Sequence, residues 1–149
     1  MHIVFGWGKN LSPTDLKYVV TNYNLSFSSS EEYGVGLGNC LPGQISVSLE
    51  IEASYKGKPA EDIFKFAKNQ HDLAKAEGAA MIVVYPEIEV GQAIQEIVID
   101  NAWITAISTG TSLHDKVFNV NLTIMAANVT ISNVEFVDHR RAKLLAPGK

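Results

Sequence analysis

The chain has 149 residues, a common size for one domain, with 46% hydrophobic and 19% charged residues. A chain of this length buries about 70% of the surface that its unfolded form exposes, so it folds without a disulfide or a metal. The formal net charge is −4 and the pI is about 5.5. This excludes the basic surface that nucleic-acid binding requires. No apolar run approaches the ~18 residues of a membrane helix, so membrane insertion is not expected either.

Charged residues are scarce compared with the roughly 25% of an average domain. Two interpretations remain open: other chains cover part of the folded surface, or the core is simply well filled. A single cysteine, Cys40, excludes an internal disulfide framework. The segment 1–5 has neither the positive region nor the long apolar stretch of a secretory signal. We therefore expect a protein that is cytoplasmic as made, with any export through machinery that ignores cleavable signals.

Alternating polar and apolar residues predict three strands in the first third of the chain. They cover residues 3–7, 18–28 and 44–52. The third is the clearest, because every second residue is a large aliphatic one. The residues expected to share one face are Val19, Tyr23, Leu25 and Phe27 in the second strand, and Ile45, Val47, Leu49 and Ile51 in the third.

The segment 29–43 interrupts this pattern with four glycines and a proline. It predicts a long loop without regular structure, and loops of about 15 residues in compact domains tend to be functional or disordered. Apolar residues between the glycines make disorder less favourable, because they need a surface to rest on. These residues are Tyr33, Val35, Leu37 and Leu41.

The segment 59–77 predicts one amphipathic helix. Pro59 suits the first helical position and Gly78 suits the C-terminal stop. Ile63 and Phe66 lie on its apolar face, while Lys65 lies on the polar face. The helix is expected to pack on a sheet.

The second half of the chain predicts more strands, at 80–85, 93–108 and 116–126, and a last one around Val134 and Phe136. The apolar alternation slips near 100–101 and again near 127–128, so we expect a bulge or bend at each place. Long strands that bend at bulges are how a sheet curls into a barrel.

No segment carries a catalytic, cofactor or metal motif. The glycines at 34–38 miss the dinucleotide spacing, and the residues after them do not open a helix. No serine lies in a nucleophile elbow, and the four histidines form no metal-binding pair. The predicted site therefore contains no catalytic, cofactor or metal residue. The basic residues His139, Arg140, Arg141 and Lys143 are interpreted as a solvated tail within 137–149.

The polar faces of the strands carry Asn, Ser and Thr far more often than Lys or Glu. Uncharged hydrogen-bonding faces favour contact with a neighbouring chain or a lumen over contact with bulk solvent.

The order of these elements resembles the tail-tube fold of contractile-phage tube proteins and of the Hcp tube protein of type VI secretion. The resemblance implies a single mainly β domain over 1–149, an antiparallel β-barrel of two curved sheets with one packed α-helix. It covers most of the chain between 18 and 136. The stretches that carry it are 43–50, 63–66, 80–85, 99–104 and 121–127.

The same resemblance implies a non-catalytic subunit without cofactors. Its copies would form six-membered rings by edge pairing, and the rings would stack into the tube of a contractile injection system or phage-like tail. The implied partners are other copies of the chain, with sheath, baseplate and effector proteins. By position, the loop 29–43 would reach an adjacent ring or subunit, with Tyr33, Val35, Leu37 and Leu41 as contact residues. A monomeric small-ligand-binding barrel and a minor enzyme domain remain as alternatives.

Overall fold

The computed structural model describes residues 1–36, 38–52, 56–72, 78–86 and 92–141. These ranges contain eleven strands, an α-helix at Glu61–Asn69 and a short 3₁₀ turn at Pro13–Asp15, and residues 139–141 are also helical. In chain order the elements are β1 (His2–Trp7), β2 (Tyr18–Asn24), β3 (Phe27–Ser28), β4 (Glu31–Glu32), β5 (Val35–Gly36), β6 (Leu41–Pro42), β7 (Ile45–Glu52), α1 (Glu61–Asn69), β8 (Ala79–Tyr85), β9 (Gln95–Gly110), β10 (Val117–Ile131) and β11 (Val134–Val137).

Six strands form a closed barrel in which every pairing is antiparallel. The order is β10-β7-β2-β1-β8-β9, and β9 pairs back to β10. Strand β11 pairs with the end of β10 that extends beyond β7. The predicted fold class, a mainly β antiparallel barrel with one helix, is confirmed.

The interior of the barrel is filled by aliphatic side chains. In β7 the four predicted residues are buried and alternate with more exposed polar ones. Burying each such side chain contributes roughly 1.5–3 kcal/mol. The inward-facing residues with 1% exposure or less include Ile45, Leu49, Ile82, Ile97, Ile99, Val120, Ile124 and Val129.

The predicted inward face of β2 is wrong at its start. Tyr18 and Val20 are buried, whereas Val19 is 45% exposed. The register of β2 against β7 shifts between Val20 and Asn22, so Thr21 is an extra residue. A bulge reverses the face on which later residues lie, and the prediction continued a single phase through it.

The two predicted slips in the long strands are confirmed. In β9, Asn101 has a φ of 50° and separates buried Ile99 from buried Ala102. In β10, Ala126 and Ala127 are consecutive and both buried. Both strands therefore change face at the same level of the sheet, and their mutual register is unbroken there. It shifts further along β9, where Thr105 is unpaired.

Helix α1 begins two residues after Pro59 because Ala60 adopts a left-handed conformation and serves as the N-cap. Ile63 and Phe66 are buried as predicted, and the Phe66 ring packs 4.8 Å from that of Trp7. Helix α1 ends at Asn69 and residues 70–72 form a turn, so the predicted continuation of the helix through 70–72 is wrong. Residues 73–77, where its end was predicted, lie outside the described residues. A Cβ on Gly78 would lie 1.9 Å from the Ala102 carbonyl oxygen, so close packing on β9 requires glycine here.

Candidate functional site

The segment 27–42 forms a two-stranded arm on the barrel, where the sequence predicted an irregular loop. Near the barrel β3 pairs with β6, and further out β4 pairs with β5. The intervening Tyr33 and Gly34 have φ of 54° and 81°. Positive φ at both central residues is what a tight hairpin turn of the primed type requires. The backbone therefore turns back on itself at Tyr33.

The base of the arm is fixed to the barrel by residues from the far end of the chain. The rings of Phe27 and Phe136 pack 4.2 Å apart. Arg141 donates from Nη1 to the Pro42 carbonyl at 3.1 Å and to the Ala126 carbonyl at 2.8 Å. Arg141 is therefore an anchor, although the sequence assigned it to a solvated tail.

Asp138 holds that anchor in place. Its Oδ1 accepts hydrogen bonds from the backbone N–H groups of Arg140 and Arg141, each at 3.1 Å. Its Oδ2 lies 3.9 Å from Nη2 of Arg141. Lys143, which the sequence grouped with these residues, lies outside the described residues.

The four predicted contact residues do not form one cluster. Tyr33 is 97% exposed and Val35 is 63% exposed, both at the outer end of the arm. Leu41 is half-buried on β6, at the base. Leu37 lies outside the described residues. The outer end of the arm therefore presents an aromatic and an aliphatic side chain to solvent, held by a hairpin that contains Glu31 and Glu32.

A second candidate surface is the outward face of the four neighbouring strands β2, β7, β10 and β9. Cross-strand partners place small uncharged residues, all but one of them polar, in rows across this face. One row contains Asn22, Ser48, Asn121 and Ser108, and the next contains Asn24, Ser46, Thr123 and Ala106. Neither row contains a charged residue, which agrees with the polar faces predicted from the sequence.

This four-stranded sheet ends in an incompletely paired edge on each side. In β9, residues 106–110 pair with β10, and the described ranges supply no strand on their other side. In β2, residues 22–24 pair with β7, whereas β1 reaches only Tyr18 and Val19. Both edge segments lack charged residues. Exposed strand edges usually carry lysine, proline or another feature that prevents pairing with other chains.

One side chain marks where the open edge of β9 begins. Gln70, which follows α1, donates from Nε2 to the Ile104 carbonyl at 2.7 Å. Its Oε1 accepts from the Ile104 backbone N–H at 3.0 Å. The side-chain amide thus occupies the place that a backbone amide of a neighbouring strand would take.

A surface recess near α1 combines opposite charges. It is lined by Lys17, Lys58 and Lys65, together with Glu61 and Asp62. Nζ of Lys17 lies 3.6 Å from Oδ2 of Asp62, and the Tyr18 hydroxyl donates a hydrogen bond to Oδ1 of the same carboxylate. Lys65 lies 2.9 Å from Glu61, and its hydrogen bond lowers the pKa of that carboxyl. The carboxylates thus offset the lysines, so the recess has no strong charge of either sign.

Within the described ranges, no three His, Cys, Asp or Glu side chains are grouped so as to hold a metal ion. Cys40 is exposed. None of the described helices is long and apolar enough to cross a membrane.

Sequence reasoning missed three features of these surfaces: the Arg141 anchor, the Gln70 clamp and the positions of the two open edges. Both side-chain contacts join residues far apart in the chain, so no local pattern reveals them. The lack of charged residues in the segments 22–24 and 106–110 could have indicated edges that pair with another chain, because exposed edges without charges are unusual.

No protein-family model and no curated protein matches the sequence. Solved structures do match. Hcp1 from Flavobacterium johnsoniae superimposes with a TM-score of 0.66 at 11% identity, covering 93% of this chain and 100% of that one. Hcp1 from the E. coli EAEC 042 pathovar has a TM-score of 0.62 at 11% identity, and the match covers 93% of this chain and 98% of that one. A type six secretion system protein has a TM-score of 0.60 at 10% identity, and the match covers 87% of this chain and 82% of that one.

These likenesses extend over nearly the whole chain at sequence identities of 10–11%. They agree with the resemblance that the order of elements indicates. The chain therefore has the Hcp-like fold.

Proposed function

We propose that the chain is a non-catalytic structural subunit whose copies form rings, with six members as the tail-tube resemblance implies. In this proposal the rings stack into the inner tube of a contractile injection system. The fold is that of Hcp proteins, and one similar structure is a type six secretion system protein. Sheath, baseplate and effector proteins are the further partners.

The observation that carries the proposal is the four-stranded sheet with an open edge on each side. A head-to-tail contact that closes on itself produces a ring. Here the edge 106–110 of one copy would pair with the edge 22–24 of the next. The two uncharged rows between these edges would then line the bore.

Strand direction supports this pairing. The strands alternate in direction along β2-β7-β10-β9, so β2 and β9 run in opposite directions. Rotation about a ring axis roughly parallel to the strands leaves the direction of each copy unchanged. The β2 of one copy would therefore meet the β9 of its neighbour antiparallel, and the alternation would continue around the ring.

The arm gives the second contact. Tyr33 and Val35 are exposed at its outer end while its base is fixed to the barrel. An apolar tip on a fixed support suits contact with the adjacent ring or subunit. The alternative of a ligand-binding barrel has less support, because packed aliphatic side chains occupy the barrel interior.

A charge-pair experiment tests the ring contact. Asn22 and Ser108 lie in the same outward row, at opposite edges of the sheet. The double variant Asn22→Lys/Ser108→Lys places like charges on both sides of the proposed contact, and we expect a monomer of about the 16.2 kDa chain mass. The matched variant Asn22→Lys/Ser108→Glu replaces repulsion by attraction, and we expect closed rings.

Native mass spectrometry gives the number of copies, and negative-stain electron microscopy shows whether rings are closed. Circular dichroism checks that each variant is folded. A wild-type chain that remains monomeric at high concentration contradicts the proposed function. Rings that persist unchanged in the double-lysine variant contradict the assigned edges.

A further inference from the structure

We propose that Gln70 sets the register in which neighbouring copies pair, by closing the edge of β9 at Ile104. This inference rests on the proposed function, since it concerns the contact between copies in a ring. Gln70 is a positioning residue here, because it does not itself touch the neighbouring copy.

Three groups from within the chain cover the edge of β9 in succession, as far as Ile104. Strand β8 pairs with β9 as far as Asp100, opposite Ala79. The Ala102 N–H then donates to the Gly78 carbonyl at 2.9 Å. Gln70 next satisfies both backbone groups of Ile104, at 2.7 and 3.0 Å. Cover from within the chain thus reaches Ile104, and the next residue, Thr105, is the bulge.

Beyond that bulge the edge 106–110 is open within the described part of the chain. A strand that pairs with β9 forms hydrogen bonds to every second residue. If Ile104 were free, a neighbouring strand could also pair in a register closer to the helix, with Ile104 itself. The Gln70 amide excludes that alternative register because it occupies the hydrogen-bonding groups themselves.

The proposed occupant of the open edge is the segment 22–24 of a second copy. Both segments are uncharged and lie at the two ends of one sheet. Their antiparallel meeting follows from the strand directions. Register matters at such short edges, because three to five residues supply few hydrogen bonds and a slip of two loses a large share of them.

Disulfide mapping in a Cys40→Ser background tests the inference. Asn24→Cys is combined with a single cysteine at each position from 106 to 110 in turn. The two sites lie three strands apart in one chain, roughly 14 Å, which exceeds disulfide reach. Every bridge therefore joins two copies. With Gln70 present, we expect one strongest partner position.

In Gln70→Ala we expect the strongest position to move toward Ile104 or the yields to spread. A hydrogen bond is worth about a factor of five in an equilibrium, so the yield nearer Ile104 should rise about five-fold or more relative to the yield at the original position. Gln70→Glu can accept from the Ile104 N–H but cannot donate to its carbonyl, so it should give an intermediate pattern. Asn69→Ala, which removes the exposed amide next to Gln70, is the matched control and should leave the pattern unchanged.

The possible failures are distinguishable. A folded Gln70→Ala variant with the wild-type cross-link pattern and ring size refutes the role of Gln70 and leaves the ring proposal intact. A monomeric wild-type chain without intermolecular cross-links refutes both. If Gln70→Ala does not fold, Gln70→Glu carries the same readout, and an unchanged pattern there also refutes the role of Gln70.

Discussion

Nη1 of Arg141 lies 3.1 Å from the carbonyl oxygen of Pro42, although the two residues are 99 positions apart. The same nitrogen donates to Ala126 on β10 at 2.8 Å. One guanidinium therefore joins the base of the arm to the barrel wall. Residues 138–141, which follow β11, thus have a structural role in positioning the arm.

This contact predicts a stability loss in Arg141→Met, which retains an apolar stem but removes both hydrogen bonds. Leaving the Pro42 and Ala126 carbonyls without their donor should lower the free energy of unfolding by about 1–3 kcal/mol. Urea unfolding measures this loss, with exposed Arg140→Met as the control. Amide hydrogen exchange should also rise at Gly43, whose N–H donates to Ser26 at the arm base. Equal stability of the two variants would argue against an anchoring role.

The exposed tip of the arm predicts a variant that folds but does not stack. Tyr33→Asp/Val35→Asp adds charge at two exposed positions, and aspartate tolerates the positive φ of residue 33. We expect the free energy of unfolding to stay within about 0.5 kcal/mol of the wild-type value. We also expect the stacked rings to be lost. Sedimentation velocity measures stacking, and Asn69→Asp on α1 controls for an added carboxylate. Unchanged stacks in the double variant would remove the arm from the proposed contact.

Gly78 is required for close packing on β9. In Gly78→Ala the new Cβ would lie 1.9 Å from the Ala102 carbonyl oxygen, and backbone atoms would have to move. Overpacking of this kind lowers the free energy of unfolding by about 1–3 kcal/mol. Chemical denaturation of Gly38→Ala gives the matched control, because a Cβ there meets nothing within 4 Å. Equal stability of the two variants would show that the barrel accommodates the extra methyl.

Asp100 predicts a pH dependence of stability. Partial desolvation of its carboxyl, followed by the negative charge of Glu135, raises the pKa of Asp100 above its ordinary value of 3.8. The folded state therefore binds this proton more tightly than the unfolded state. The stability that protonation contributes is present below 3.8 and is lost as the pH rises through the raised pKa.

Asp100→Asn should consequently unfold at higher urea concentration than the wild type at pH 7. The difference should shrink as the pH is lowered to 3. Asp115→Asn, in the exposed turn between β9 and β10, controls for the loss of one carboxylate. A difference between Asp100→Asn and wild type that is constant from pH 3 to pH 7 would contradict the raised pKa.

Local patterns predicted the strands well where one face is buried and the other is polar. In β7 the alternation of four aliphatic residues with polar ones required no knowledge of the partners. The slips near Asn101 and Ala127 were equally visible, because a change of face moves the apolar residues to the other parity. The bulge at Thr21 was not visible, because Val19 is apolar on an outward face. The arm was predicted as a loop, since two-residue strands are too short to show a period.

What the sequence determined by itself is the class of structure: a chain of alternating strands with one amphipathic helix, few charges and no catalytic motif. Periodicity records which face of an element is buried, and that information is local. Only the tertiary structure decided which edges stay open, that Gln70 closes one of them, and that Arg141 holds the arm. The physical reason is that a hydrogen bond between residues 34 or 99 positions apart depends on distance in space, which no short window of sequence encodes.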